Sequence, residues 1–480
     1  MFIKRLIVLA LIVFSACSPA GEQFENALCI ENISTIDAKS GLQNDMTVVI
    51  LDNKIVKVTK TADLQPAAEN KIVDGTGKYL IPGLWDAHVH FAFIEELAPA
   101  MFDLFLGYGI TSVRDTGGRI EFVKAWKDKA ESDPKKAPRV MIAGPLIDGT
   151  PNVYDGSSPS FPPLSVHVAD VDATIAVVEE LDSIGVDLLK AYEMLTPEKF
   201  KAITRLAKEK GLKVTGHIPL SMDVISASNA GLNSIEHFRN LEMSMVANWE
   251  ELLAERREVL KNKEQKSGGA LRSSLHKLQR YDAIEKTDSV TFYKVLDALK
   301  KNDTWQIPTL ALSRLFAYRV FTSAEYQKDF NALPAEIKKQ WKTAITALEK
   351  TPVDEGSQRF SDWAMSIVDK MHSMGIHFMA GTDAPIGFQV PGISLHEELV
   401  LYVEAGMTPL EALETATLLP AVYFDLQDEL GLIEENMIAD LLVLDANPLD
   451  AIENTKKINA VIKDGHLMDR THLNGLLNGK

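Results

Sequence analysis

The sequence predicts a closed (β/α)8 TIM barrel joined to a small composite β-sandwich domain built from both chain ends. Three observations carry this prediction. Short apolar strands alternate with amphipathic helical runs from residue 80 to about 425, strand-rich stretches occupy both ends, and polar side chains recur where barrel strands should end. A barrel plus a small appended domain accommodates 480 residues. The hydrophobic share of 46% and charged share of 24% are those of a globular protein able to bury a core. A net charge of −17 without any basic block argues against nucleic acid and against electrostatic docking on anionic lipid.

The first residues form a targeting segment. Lys4 and Arg5 make a positive start, Leu6 to Phe14 an apolar run too short for a good spanning helix, and Ser15-Ala16 a cleavage site. Phe14-Ser-Ala-Cys17 resembles a bacterial lipobox, so residues 1–16 are expected to be removed and Cys17 to carry lipid. The mature protein is then anchored in the cell envelope facing the periplasm. Ser18, rather than Asp, mildly favours the outer membrane. Only Cys29 remains afterwards, which excludes an intramolecular disulfide.

Residues 27–82 read as strands, with Met46–Leu51 and Lys54–Val58 flanking an Asp52-Asn53 turn. Residues 430–470 repeat that character in Ala439–Leu444 and Ile458–Gly465, which predicts one composite β domain. The barrel takes residues 83–425. Its candidate strands are Leu84–His90, Ile110–Arg114, Arg139–Ala143, Asp187–Ala191, Lys213–His217, Ser234–His237, Trp305–Thr309 and His377–Gly381. Helical runs such as Pro197–Lys210, Met222–Ala230 and Ser361–Met374 lie between them. No Gly-rich phosphate loop follows any strand, which disfavours an open doubly wound sheet. Residues 240–302, rich in Glu, Lys and Arg, are expected as an inserted helical hairpin. Their charge reads first as a solvated face and alternatively as a lid.

Strand alternation projects His88 and His90 from one face, which makes half of a divalent metal site. Lys190 lies on strand four, His217 ends strand five, His237 ends strand six and Asp383 ends strand eight. Singly, each could be an ordinary satisfied polar residue. Together, topology carries them to the barrel mouth, where a metal centre forms. Tyr192 should share a face with Lys190 and reach a substrate carbonyl, or simply pack at the rim. Arg114, Arg239 and Arg314 follow strand ends and could hold a substrate carboxylate or make surface ion pairs, and His396 reads as a helix-face residue.

These stretches resemble the amidohydrolase superfamily, in its imidazolonepropionase-like and prolidase-like branch. The resemblance lies in Leu80–His90, Gly109–Asp115, Gly381-Thr-Asp-Ala-Pro385 and Ala439–Leu444. It implies two divalent ions, of which Zn²⁺ suits the donors best. His88, His90 and Asp383 would bind one ion and His217 and His237 the other, bridged by a CO2-derived carbamate on Lys190. It further implies hydrolysis of a C–N bond in a small amide, such as a dipeptide or an N-acyl amino acid. Metal-activated hydroxide would attack and Asp383 would shuttle the proton. The Ala143–Tyr154 segment lacks the Gly-Gly-His loop common after strand three of prolidase-like relatives, which disfavours strict Xaa-Pro dipeptidase activity. Two alternatives stand beside this reading: a cyclic amide or imidazolone hydrolase using one metal, and an inactive solute-binding lipoprotein. The sequence leaves the chain's assembly, as monomer or homo-oligomer, open.

Overall fold

The computed structural model describes residues 24–261 and 267–479, so the leader and Cys17 lie outside the described residues. Among the described residues no helix is long and apolar enough to cross a membrane.

Both chain ends enter one eight-stranded sheet. Leu28–Asp37 pairs antiparallel with Gly41–Leu51, which pairs with Lys54–Lys60 across the predicted turn. On its other edge Leu28–Asp37 meets Tyr79–Pro82, and Tyr79–Pro82 pairs with Leu441–Leu444 from the far end of the chain. Ile458–Lys463 and His466–Asp469 extend it, and Lys71–Asp74, parallel to Leu28–Asp37, is the eighth strand. Ile30, Ile50 and Leu80 share an apolar cluster with Leu441, Val443 and Ile462. That shared core ties the termini together, because neither end alone buries its apolar face.

The barrel begins one residue later. Its parallel strands are Leu84–Val89, Ile110–Asp115 and Arg139–Ile142, then Leu188–Ala191, Lys213–Gly216, Ser234–Glu236 and Trp305–Ile307. Asp187 N donates to Ile142 O at 2.9 Å and joins the two runs. The eighth predicted strand is not a regular one. Phe378 bridges to Gln306 and Ala384 to Val89, while Ala87 N donates to Ala380 O at 2.8 Å. The ring therefore closes through single bridges. The chain is already turning there, with Asp383 at φ 64°, so no continuous ladder forms.

The helix at Pro197–Lys210 lies where the periodicity places it. Thr196 caps its start by accepting from Lys199 N, and Gly211 ends it at φ 73°. The insertion is a pair of helices within a narrower span than residues 240–302. Trp249–Leu260 and Gly268–Glu285 are the insertion, whereas Ser289–Lys301 precedes strand seven as the barrel's own returning helix. A second helical excursion, Ala324–Phe330 and Ala335–Glu349, precedes Glu355–Ser373, the barrel helix that leads into the eighth strand segment. Its polar surface carries no strand-like signal to announce it.

Candidate metal centre at the barrel mouth

His88 is the penultimate residue of the first barrel strand, and His90 lies just beyond its end. Asp383 N donates to His88 O at 2.7 Å, so the backbone itself holds strand one and the Asp383 segment in register. Gly381 is required by this approach, since a Cβ there would come within 2.8 Å of His88 Cβ.

Every imidazole has an acceptor behind it. His88 Nδ1 faces Glu236 Oε2 at 2.6 Å, His90 Nδ1 the Gly117 carbonyl at 2.9 Å, and His217 Nδ1 Glu193 Oε1 at 2.6 Å. His237 Nδ1 faces Thr309 Oγ1 at 2.6 Å, and that hydroxyl in turn donates to Pro308 O at 2.8 Å. Thr309 therefore accepts from His237. The network assigns each proton to Nδ1 and leaves each Nε2 lone pair for the cavity.

On the cavity side, His88 Nε2 lies 3.3 Å from His90 Nε2, and Asp383 Oδ1 lies 3.1 and 3.0 Å from them. These three buried donors form a group that can hold a metal ion. The fit is geometric: tetrahedral ligands bonded at about 2.0–2.1 Å stand roughly 3.3 Å apart. It is also chemical, because three lone-pair donors without a proton between them repel unless a cation sits there. Asp383 Oδ2 faces the other way, 3.8 Å from His237 Nε2. The His217 and His237 rings lie 5.1 Å apart, edge to face.

Lys190 is buried, and its Nζ has no hydrogen-bond partner among the described residues. Glu236 Oε1 is 3.9 Å away. Burial lowers the Lys190 amine to about 8 despite that carboxylate. Burial likewise takes His217 down to about 3 and His237 well below its usual range, so both rings stay neutral as ligands must be.

All six residues predicted as ligands line one cavity of about 100 Å³, together with Tyr192 and Arg239. The Tyr192 ring lies 4.4 Å from that of His217, buried in the cavity lining. Two predicted substrate contacts are corrected. Arg114 is fully buried below the site, where it donates to Glu236 Oε1 at 2.8 Å and to the Ala87 carbonyl. It lies within the second strand and points into the barrel, not out of its mouth. Arg314 lies on the helix Leu310–Ala317, 3.5 Å from Glu404, beside a separate pocket. His396 does lie on a helix, Ile393–Glu404, where it is buried between Thr455 Oγ1 and the Tyr108 carbonyl, each at 2.9 Å.

Sequence reasoning passed over Glu193, Glu236, Thr309 and Arg272. Glu236 stood in view between Ile235 and His237, but a strand-end residue pointing away from the mouth has no local mark. Three site residues, His237, Thr309 and Asp383, lie at positive φ (59°, 49° and 64°). Such backbone costs about 1–3 kcal/mol each and is tolerated where surroundings over-determine it.

The amidohydrolase-family sequence model matches residues 79–256 and 355–468. An imidazolonepropionase from Idiomarina loihiensis is 31% identical over 109 residues, 22% of this chain and 27% of that protein. A dihydroorotase from Streptococcus thermophilus is 39% identical over 64 residues, 13% of this chain and 14% of the relative. The matches thus span about one quarter and one seventh of those curated relatives. The crystal structure of a Xaa-Pro dipeptidase with bound methionine superposes with a TM-score of 0.67 at 22% identity, covering 92% of this chain and all of that one.

Proposed function

The chain belongs to the amidohydrolase family, and from that premise we propose that it hydrolyses the C–N bond of a small amide, such as a dipeptide or an N-acyl amino acid. The observation that carries this reading is the convergence of His88 Nε2, His90 Nε2 and Asp383 Oδ1 within 3.3 Å in a cavity also lined by Lys190, His217 and His237.

His88, His90 and Asp383 would hold one divalent ion and His217 and His237 a second. Lys190, neutral when deprotonated and without a partner, would take up CO2 as a carbamate and bridge them. Zinc suits these nitrogen and oxygen donors. When bound, the ions supply a water of lowered pKa and polarise the scissile carbonyl. The remaining work belongs to the chain. Asp383 takes a proton from the attacking water and passes it to the departing nitrogen, so a C–O bond forms, the C–N bond breaks and an amine leaves. Tyr192 lies beside His217, where its hydroxyl could steady the carbonyl oxygen.

The lipobox-like Phe14–Cys17 supports an exported, lipid-anchored protein in the periplasmic envelope, with replacement of Cys17 by Ala expected to release it from membranes.

The test uses the soluble chain starting after Cys17, loaded with zinc, and follows amine release from dipeptides, N-acyl amino acids and lactams. Turnover of linear amides with about two zinc per chain is the expected result. Turnover of cyclic amides alone with about one zinc replaces it by the single-metal reading, and silence across the panel discards the substrate class.

A further inference from the structure

The inserted helix Gly268–Glu285 does more than cover the barrel, and its contribution to the cavity is cationic. Arg272 and Arg239 both line the metal cavity. They also line a neighbouring pocket together with His276. Neither has a carboxylate at hydrogen-bonding distance among the described residues. The nearest is Glu193 Oε1, 3.9 Å from Arg239 Nε and 3.9 Å from Arg272 Nη1. That oxygen is already committed to His217 Nδ1 at 2.6 Å. Arg239 Nε is buried with no partner. Arg272 is held in place by the faces of Tyr154 and Phe161, 5.8 and 5.6 Å from its guanidinium carbon, and its Nη1 reaches Tyr192 Oη at 3.4 Å.

Two guanidinium groups share one carboxylate, Glu193, that reaches neither at hydrogen-bonding distance, and so leave positive charge facing the cavity. A buried guanidinium without an anion on its fork is costly, and a planar carboxylate is the group that matches that fork. The same cavity is lined by Leu146, Leu164, Leu312 and Ile386, so an apolar side chain has a place beside it. Resting on the amide-hydrolase reading, we propose that Arg272, with Arg239, grips the substrate's free carboxylate. The inserted helix thereby restricts this site to anionic amides that carry an apolar side chain. Arg272 is in this sense a specificity-determining residue contributed from outside the barrel.

The experiment uses the zinc-loaded chain and two readouts. Calorimetric titration compares L-leucine with L-leucinol, which differ in the carboxylate and contain no amide to hydrolyse. Initial rates compare N-acetyl-L-leucine with N-acetyl-L-leucinamide. A charge-assisted fork predicts a preference for the carboxylate of about 10-fold to 100-fold in both pairs. Arg272→Met should bring the preference below about 3-fold, with Arg272→Lys in between because it keeps charge but loses the fork. Arg239→Met provides the same comparison if Arg272→Met fails to fold.

Equal binding of leucine and leucinol by the unmodified chain overturns the inference. So does a loss in Arg272→Met that is equal for both members of each pair. The two readings fail separately. A carboxylate preference in binding without hydrolysis of any amide keeps the anion grip and removes the amidase. Hydrolysis of neutral and anionic amides alike keeps the amidase and removes the grip.

Discussion

Glu236 accepts from His88 Nδ1 at 2.6 Å through one oxygen while its other oxygen takes Arg114 Nη2 at 2.8 Å and the Thr215 hydroxyl. A single buried carboxylate thus orients a metal-site imidazole and neutralises a guanidinium that has no route to solvent. Glu236→Gln keeps the shape and removes the charge. Metal affinity should fall by about 10-fold to 100-fold, as for other groups behind a ligand. Stability should fall by about 3–5 kcal/mol, because Arg114 is left uncompensated. Chelator competition and urea unfolding measure the two, and unchanged affinity would show that Glu236 does not orient His88.

Asp383→Asn retains a carbonyl oxygen near His88 and His90 but cannot accept the proton. Turnover should drop by about a factor of 100 to 10,000, the span typical of a lost general acid–base group, while much of the metal stays bound. Near-normal rates with zinc present would remove Asp383 from the proton path.

Lys190→Ala removes the buried amine whose Nζ has no hydrogen-bond partner among the described residues. Zinc content should fall from about two to about one or fewer per chain if a carbamate bridges two ions. Content unchanged at about one in both proteins would support the single-metal alternative. Dialysis against a chelator should abolish turnover in the parent chain, and zinc should restore it.

His396 supplies a pH dependence away from the site. Burial lowers its imidazole to about 4 from an ordinary 6.5, with the Tyr108 carbonyl opposing. The sign follows from proton counting: between those values the unfolded chain binds a proton that the native chain refuses. The contribution is complete above about pH 6.5 and is lost as pH falls toward 4, by roughly 3 kcal/mol. Denaturant unfolding at pH 7 and pH 4.5 should show a smaller acid loss in His396→Gln than in the parent. An identical loss in both would place the acid sensitivity elsewhere.

Most of the site's inner shell was legible because it depends on local rules. Alternation along a strand places His88 with His90, and an apolar run ending in Gly-His or Gly-Thr-Asp marks a strand's C-terminal end whatever surrounds it. The pairing of both chain ends was legible too, since each has strand character and neither suffices alone.

What the sequence by itself determined, then, is the barrel with its composite β domain and the six residues at its mouth. The tertiary structure decided the rest: that Arg114 lies beneath the site, Arg314 beside another pocket, Glu236 and Glu193 behind the imidazoles, and Arg272 in the cavity. The physical reason is range. Period and propensity act over a few residues, whereas the depth of a strand residue depends on how strands stagger when the ring closes. Which face of an inserted helix turns inward depends on packing against partners more than thirty residues away, such as Phe161 against Gly269 and Tyr281 against Gly356.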